Sequence, residues 1–405
     1  MKKLVLSLLI AGSLFNSCSS DDDNGTGDNQ ITAPATYVFT RNGNSTVSFG
    51  GQTTRIKMAE ELVSAIKDNT KTEDQLDAIE KLDAMFAHVE GVADFSDTDL
   101  NASDKSIRSK TAASADYFSA NTTEANTIKA DFDNWISAQV LDVFPNWENI
   151  ATAGNAGQLQ EAGGESTRYI NAKGLELNQA FAKSLIGALM VDQILNNYLS
   201  PAVLDAGENR ANNDNDVVES DKDYTTMEHK WDEAYGYLYG NEVNPAVPVL
   251  DADSFLNKYL SRVENDTDFT GIAADIYNAF KLGRAAIEAK NYTVRDEQAE
   301  IIKEKISMVI AVRAAHYLQA GKASLAANKA AAFHDLSEGF GFVYSLQFTR
   351  KPNTTLPYFS KTEVDAYISQ LMTGNGFWDV TTTTLDTISD EIAAEFGFTS
   401  AQAAN

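Results

Sequence analysis

Proline placement constrains this chain more than any other feature. Only 7 prolines occur, and Pro145, Pro201, Pro245, Pro248, Pro352 and Pro357 all fall between stretches whose apolar residues recur every three or four positions. A proline inside a helix removes a backbone donor and clashes with the preceding turn, so breakers confined to junctions mark where helices stop. Met58, Leu62 and Ile66, then Leu76, Ile79, Leu82 and Phe86, keep helical spacing. Amphipathic helices are expected at 55–68, 73–89, 104–118 and 123–141, with a long one from about Thr167 to Leu199. Others are expected near 227–240, 252–262, 270–290, 295–320, 325–346 and 361–372. The fold class that follows is all-α, two packed helical bundles preceded by a short β-hairpin.

The hairpin is read from Thr36 to Phe49, where Asn42-Gly43 separates two runs of β-formers. Ahead of it, Lys2 and Lys3 followed by the apolar stretch Leu4 to Phe15 match a secretory signal too short to remain as a membrane span. Phe15-Asn16-Ser17-Cys18 then places a small residue before the sole cysteine, the arrangement bacterial lipoprotein processing requires. Lipidation of Cys18 is therefore expected. The polar, acidic run from Ser19 to about Asn29 is expected to be a flexible tether, and Asp21, Asp22 and Asp23 resemble an export signal to the cell surface. The organisation is thus a signal peptide (1–17), a lipidated tether (18–34), a hairpin (35–54), a first bundle (55–245) and a second (246–400). The location is an outer-membrane lipoprotein, facing the surface or the periplasm.

Charge narrows the partners. With 58 acidic against 32 basic residues the formal net charge is -26, which argues against nucleic acid and against adhesion to anionic lipid through the protein surface. High negative charge suits cation binding, and equally plain solubility. The single cysteine is committed to the anchor, and the chain lacks a Walker loop, a dinucleotide fingerprint, HExxH and Gly-x-Ser-x-Gly. No enzymatic activity is expected.

Two passages match each other. His229-Lys-Trp-Asp-Glu233-Ala-Tyr-Gly236-Tyr-Leu-Tyr239 and His334-Asp-Leu-Ser-Glu338-Gly-Phe-Gly341-Phe-Val-Tyr344 carry His, Glu, Gly and Tyr at the same offsets. Such a match points to an internal duplication. His and Glu four apart share a helix face, where they can hold one cation or one can orient the other. Two such helices meeting across a pseudo-twofold would bring together His229, Glu233, His334 and Glu338, a ligand set suited to zinc or ferrous iron. An intrahelical hydrogen bond with aromatic core around it explains the same residues without a metal. Elsewhere, His316 with Arg313 nearby is a weaker candidate, and His88 reads as a surface histidine. The run Asn209 to Asp216, with Glu219, Asp221 and Asp223, offers oxygen ligands without the spacing of a calcium loop. Arg168, Tyr169, Asn178 and Gln179 are expected to line an inter-helix space as a polar network.

The signal and anchor, the hairpin from Tyr37 to Phe49, the run Arg55 to Leu62 and the paired motifs together resemble a Bacteroidota lipoprotein family of unknown function, related to imelysin-like proteins. The resemblance covers about Ala33 to Phe398. It implies two packed helical bundles, export and an association with iron supply. The imelysin hallmark is Gly-x-His-x-x-Glu; here three residues separate each His from its Glu, and Met227 and Ala332 stand where the glycine would be. The resemblance therefore implies binding of a metal ion or metal-containing ligand in an uptake system, not peptidase activity. The alternative is an interaction protein docking on an outer-membrane receptor or a neighbouring lipoprotein, and a metallohydrolase ranks last.

Overall fold

Asn42 and Gly43 both take left-handed backbone angles, with φ of 54° and 85°. That is the requirement of a tight two-residue hairpin turn, and Thr40–Arg41 (β1) pairs antiparallel with Asn44–Ser45 (β2) across it. The computed structural model describes residues 31–68, 75–164 and 166–404. The signal peptide expected at 1–17 and the lipidation expected at Cys18 lie outside the described residues, as do most of the expected tether and residues 69–74.

The helices follow in the expected places with some exceptions. Gly50–Lys67 (α1) buries Ile56, Met58, Ala59, Leu62, Val63 and Ile66. Gln75–Ala87 (α2) and Thr122–Ala138 (α3) follow. The helix expected at 104–118 is only one turn, Ile107–Lys110, because Ala113 and Ser114 spend their N–H groups on the buried carboxylate of Asp192 instead. A second hairpin, Gly157–Gln160 (β3) with Thr167–Ile170 (β4), stands where the start of the long helix was expected. That helix begins at Leu177: Leu177–Leu185 (α4) runs on into wider π-helical turns at Ile186–Val191 and Ile194–Tyr198. Every residue from Leu177 to Ser200 is buried, so this segment is the axis of the fold.

Thr226–Tyr239 (α5), Leu256–Glu264 (α6), Ile272–Glu288 (α7), Tyr292–Ser324 (α8), Lys329–Ser345 (α9), Lys361–Leu371 (α10) and Thr382–Phe396 (α11) complete the chain. The last was not foreseen. The described residues are mostly helical, with two short two-stranded sheets among them. Helix α9 packs on α8 and α4, α7 on α8 and α5, and α11 on α8. Residues from Thr32 onward form one compact unit, and helices from either side of the 245/246 junction interleave within it. Among the described residues no helix is long and apolar enough to cross a membrane.

A charged network ties the first hairpin to this body. Arg284, fully buried on α7, contacts Asp232 at 3.2 Å, Glu228 at 3.3 Å and Thr46 at 2.9 Å. Arg41 on β1 binds both oxygens of Glu228, at 2.8 and 2.9 Å, and Tyr37 donates to Asp232 at 2.7 Å. Glu228 also closes the capping box of α5 with Thr225.

Candidate functional site

Each motif helix docks on the residue that leads from a hairpin into a helix. Ser48 precedes α1: its N–H donates to Asp232 at 3.2 Å, and its carbonyl lies 3.0 Å from Nδ1 of His229. Glu176 precedes α4: its N–H donates to Ser337 Oγ at 2.9 Å, and its carboxylate lies 3.1 Å from Nδ1 of His334. Asp232 and Ser337 each stand three residues after their histidine. The glycine seven after each histidine permits the close approach, since a Cβ on Gly236 would lie 2.3 Å from Phe49 and one on Gly341 2.4 Å from Lys183. The correspondence between the two passages therefore extends to hairpin, helix and motif helix. Sequence reading missed the second hairpin and so missed this correspondence.

The convergence expected of the four ligands does not occur. The two motifs line two clefts with no residue in common, of about 580 Å³ around His229 and about 610 Å³ around His334. Among the described residues no group of three or more His, Cys, Asp or Glu side chains is placed to hold a metal ion. In each cleft the motif carboxylate is instead paired with a lysine, Lys230 at 2.6 Å from Glu233 and Lys183 at 3.5 Å from Glu338.

In the first cleft the Ser48 carbonyl can only accept, so His229 carries its proton on Nδ1 and turns Nε2 toward Glu233, 4.0 Å away. A lone pair facing a carboxylate at that distance leaves room for a donor between them. Burial pushes the His229 pKa down, more than Glu233 restores it. Burial also raises Glu233, but Lys230 and His229, with hydrogen bonds from Lys230 and Gln52, hold it below its ordinary value. Tyr224 stacks on the imidazole at 4.6 Å. Arg55, Lys105, Lys110 and Lys230 also line this cleft, with Glu233 the carboxylate among its lining residues.

In the second cleft His334 lies between two carboxylates, Glu176 at 3.1 Å and Glu338 at 3.8 Å. Burial lowers its pKa, yet the Glu176 hydrogen bond and both carboxylate charges outweigh that and raise it. Glu338, though burial opposes it, is held at about 2 by Lys183, His334, Tyr317 and Arg313. His316 is pushed down to about 4 by burial and by Arg313, and its Nδ1 binds the carbonyl of Ala403 at 2.8 Å.

Arg313 is the exceptional group here. It is 7% exposed and lines this cleft beside Lys258, Arg262 and His334. Its Nε is buried without a hydrogen-bond partner among the described residues, and no ion pair joins it to a described carboxylate. The guanidinium lies over the ring faces of Tyr317, at 4.5 Å, and Tyr259, at 5.6 Å. A buried charge is stable only when paired. Sequence reading weighed Arg313 as a neighbour of His316; its signal was the one charged residue in the apolar run Val309 to Ala315.

The remaining candidates resolve structurally. His88 is buried, not on the surface, and binds Asp94 at 2.6 Å. The stretch from Asn209 to Asp214 is a short helix whose Asn213 donates to the Ile287 carbonyl and accepts from Thr225. Arg168 and Tyr169 lie on β4 and Asn178 and Gln179 on α4, and together they line a smaller pocket.

No curated protein and no solved structure matches this chain. Residues 34–399 match the family described as domain of unknown function DUF4856, and the chain belongs to that family.

Proposed function

We propose that this chain is an exported lipoprotein, anchored through Cys18 at the outer membrane, that binds an anionic small molecule without catalysis as part of an uptake system. An anionic metal chelate is the form in which iron or zinc would enter such clefts. The observation that carries the reading is Arg313 in the wall of the His334 cleft, whose buried Nε has no hydrogen-bond partner among the described residues. The cleft wall sets Lys258, Arg262 and Arg313 beside Asp266, Asp335 and Glu338, so the reading rests on the open donor of Arg313 and not on a net charge of the cavity. A bare divalent ion would instead meet Arg313 and Lys183. Kinship with imelysin-like proteins belongs to this reading and rests on the paired motif helices.

The test is calorimetric titration of the full-length chain with citrate, ferric citrate, inorganic phosphate, and zinc or ferrous iron alone. We expect anion binding that falls at least roughly tenfold in Arg313→Met, the scale of a charge-assisted contact. Metal bound without an accompanying anion, or anion affinity unchanged in the variant, overturns the reading.

A second reading, docking on an outer-membrane receptor or a neighbouring lipoprotein, is favoured by three exposed valines, Val243, Val247 and Val249, in the loop after α5. Cross-linking in intact cells, compared with a variant carrying serine at all three positions, separates it from the first.

A further inference from the structure

The smaller pocket lies between the second hairpin, the start of α4 and the turn that follows α3. Its volume is about 240 Å³, room for a single ring. Two amide side chains in its wall are left incomplete. Gln139 donates its Nε2 to the Ile66 carbonyl at 3.1 Å, which fixes the amide and leaves Oε1 buried with no donor among the described residues. Gln179 Oε1 is buried and unpartnered in the same way. The two residues are 4% and 6% exposed, and both line the cavity. Buried amide oxygens are nearly always satisfied, so two orphans at one cavity mark where donors arrive from outside the chain.

The rest of the wall narrows what brings those donors. Trp147 and Tyr169 stand 5.9 Å apart, tilted by 53°, and present aromatic surface to the pocket. Asn178 and Lys67 supply further polar groups, and burial lowers the Lys67 pKa. An ammonium ligand would be repelled by Lys67 and Arg168, and an anion by Glu176 and by the two orphan oxygens. What remains is a neutral molecule with several hydroxyls and an apolar face. We propose that this pocket binds one sugar ring. Its hydroxyls donate to Gln139 Oε1 and Gln179 Oε1 and accept from Asn178 and Lys67, while its C–H face lies on Trp147. No residue lines both this pocket and the His334 or His229 cleft, although Glu176 in its wall also binds His334, and the proposal does not rest on the anion reading.

The experiment is titration of the full-length chain with glucose, galactose, mannose, N-acetylglucosamine and myo-inositol, followed by saturation-transfer NMR and tryptophan fluorescence. Inorganic phosphate and ethylammonium serve as charged probes. We expect at least one neutral probe to bind, with about tenfold loss in Trp147→Ala and in Gln179→Leu, the scale of one stacking contact or one hydrogen bond to a buried group. Arg313→Met is expected to bind that probe like the parent chain. Trp147 is only half buried, so its variant tests the pocket even where the glutamine variant folds poorly. Three outcomes overturn the proposal: no neutral probe binds at tens of millimolar, Trp147→Ala binds as well as the parent, or only a charged probe occupies the pocket.

Discussion

Asp232 and Ser337 occupy the same station in the two copies: each accepts the backbone N–H of the residue that also meets its copy's histidine at Nδ1. One is a carboxylate paired with the buried Arg284, the other a hydroxyl that also donates to the Phe333 carbonyl at 2.6 Å. The two positions should therefore fail differently. Asp232→Ala is expected to cost about 3–5 kcal/mol, because it takes one carboxylate from buried Arg284, which keeps Glu228, and leaves the Tyr37 hydroxyl and the Ser48 N–H without their acceptor. Ser337→Ala is expected to cost about 1–2 kcal/mol, the loss of neutral hydrogen bonds. Urea denaturation followed by circular dichroism reads both, and equal losses would show that the charge contributes nothing beyond the hydrogen bond.

Two buried arginines should respond to the same substitution with opposite signs. Arg284→Met removes the partner of Asp232 and is expected to destabilise by about 3–5 kcal/mol. Arg313→Met removes a charge that, beyond its attraction to Glu338, makes no ion pair among the described residues, and it is expected to stabilise by about 1–3 kcal/mol while weakening anion binding at least roughly tenfold. Thermal denaturation of the two variants beside the parent decides it; a lower melting temperature for Arg313→Met would contradict the unpaired-charge argument.

The duplicated histidines should give opposite pH slopes. His334 has a raised pKa, so its contribution is complete below its ordinary value near 6.5 and fades as pH rises through the folded value. Glu338 is held at about 2, so its contribution is complete above its ordinary 4.5 and fades as pH falls toward about 2. His229 has a lowered pKa, so the unfolded chain takes its proton first and stability is lost as pH falls below about 6.5. His334→Gln should flatten the loss on the alkaline side, and His229→Gln the loss on the acid side. Denaturation midpoints across the range from about pH 3 to pH 9 provide the check.

Close packing at the repeated glycine is testable by a single methyl. A Cβ on Gly341 would lie 2.4 Å from Lys183 Cβ and 2.9 Å from the Ser184 backbone nitrogen, atoms that cannot swing aside. Gly341→Ala is expected to destabilise by about 1–3 kcal/mol and to weaken ligand binding in the adjoining cleft, since Lys183 pairs with Glu338. A neutral effect on the unfolding midpoint would mean that α9 is free to move away from α4.

Periodicity found most of the helices, because a surface helix shows its buried stripe at every third or fourth residue. It failed where that contrast vanishes. From Leu177 to Ser200 every side chain is buried, so nothing in the pattern marks a beginning, and Thr167 to Ile170 was absorbed into the helix instead of being read as a strand. Helix α11 was missed because its first turn is a run of threonines, poor helix formers that serve here as a cap through Thr381. The His–Glu pairs were legible as a repeat. Their separation into two clefts was not, because partners distant in sequence, such as Lys183 for Glu338, are set only by folding.

Glu176 belongs to two chambers at once. It lines the small pocket beside Gln179, and its carboxylate holds Nδ1 of His334 in the neighbouring cleft. A guest that draws on that carboxylate in one chamber changes the charge felt at the imidazole in the other. Thermodynamic reciprocity then requires the second guest to alter the affinity of the first by the same factor. Were both chambers filled, this one side chain, placed at the step from hairpin to helix, would be the group through which each guest felt the other.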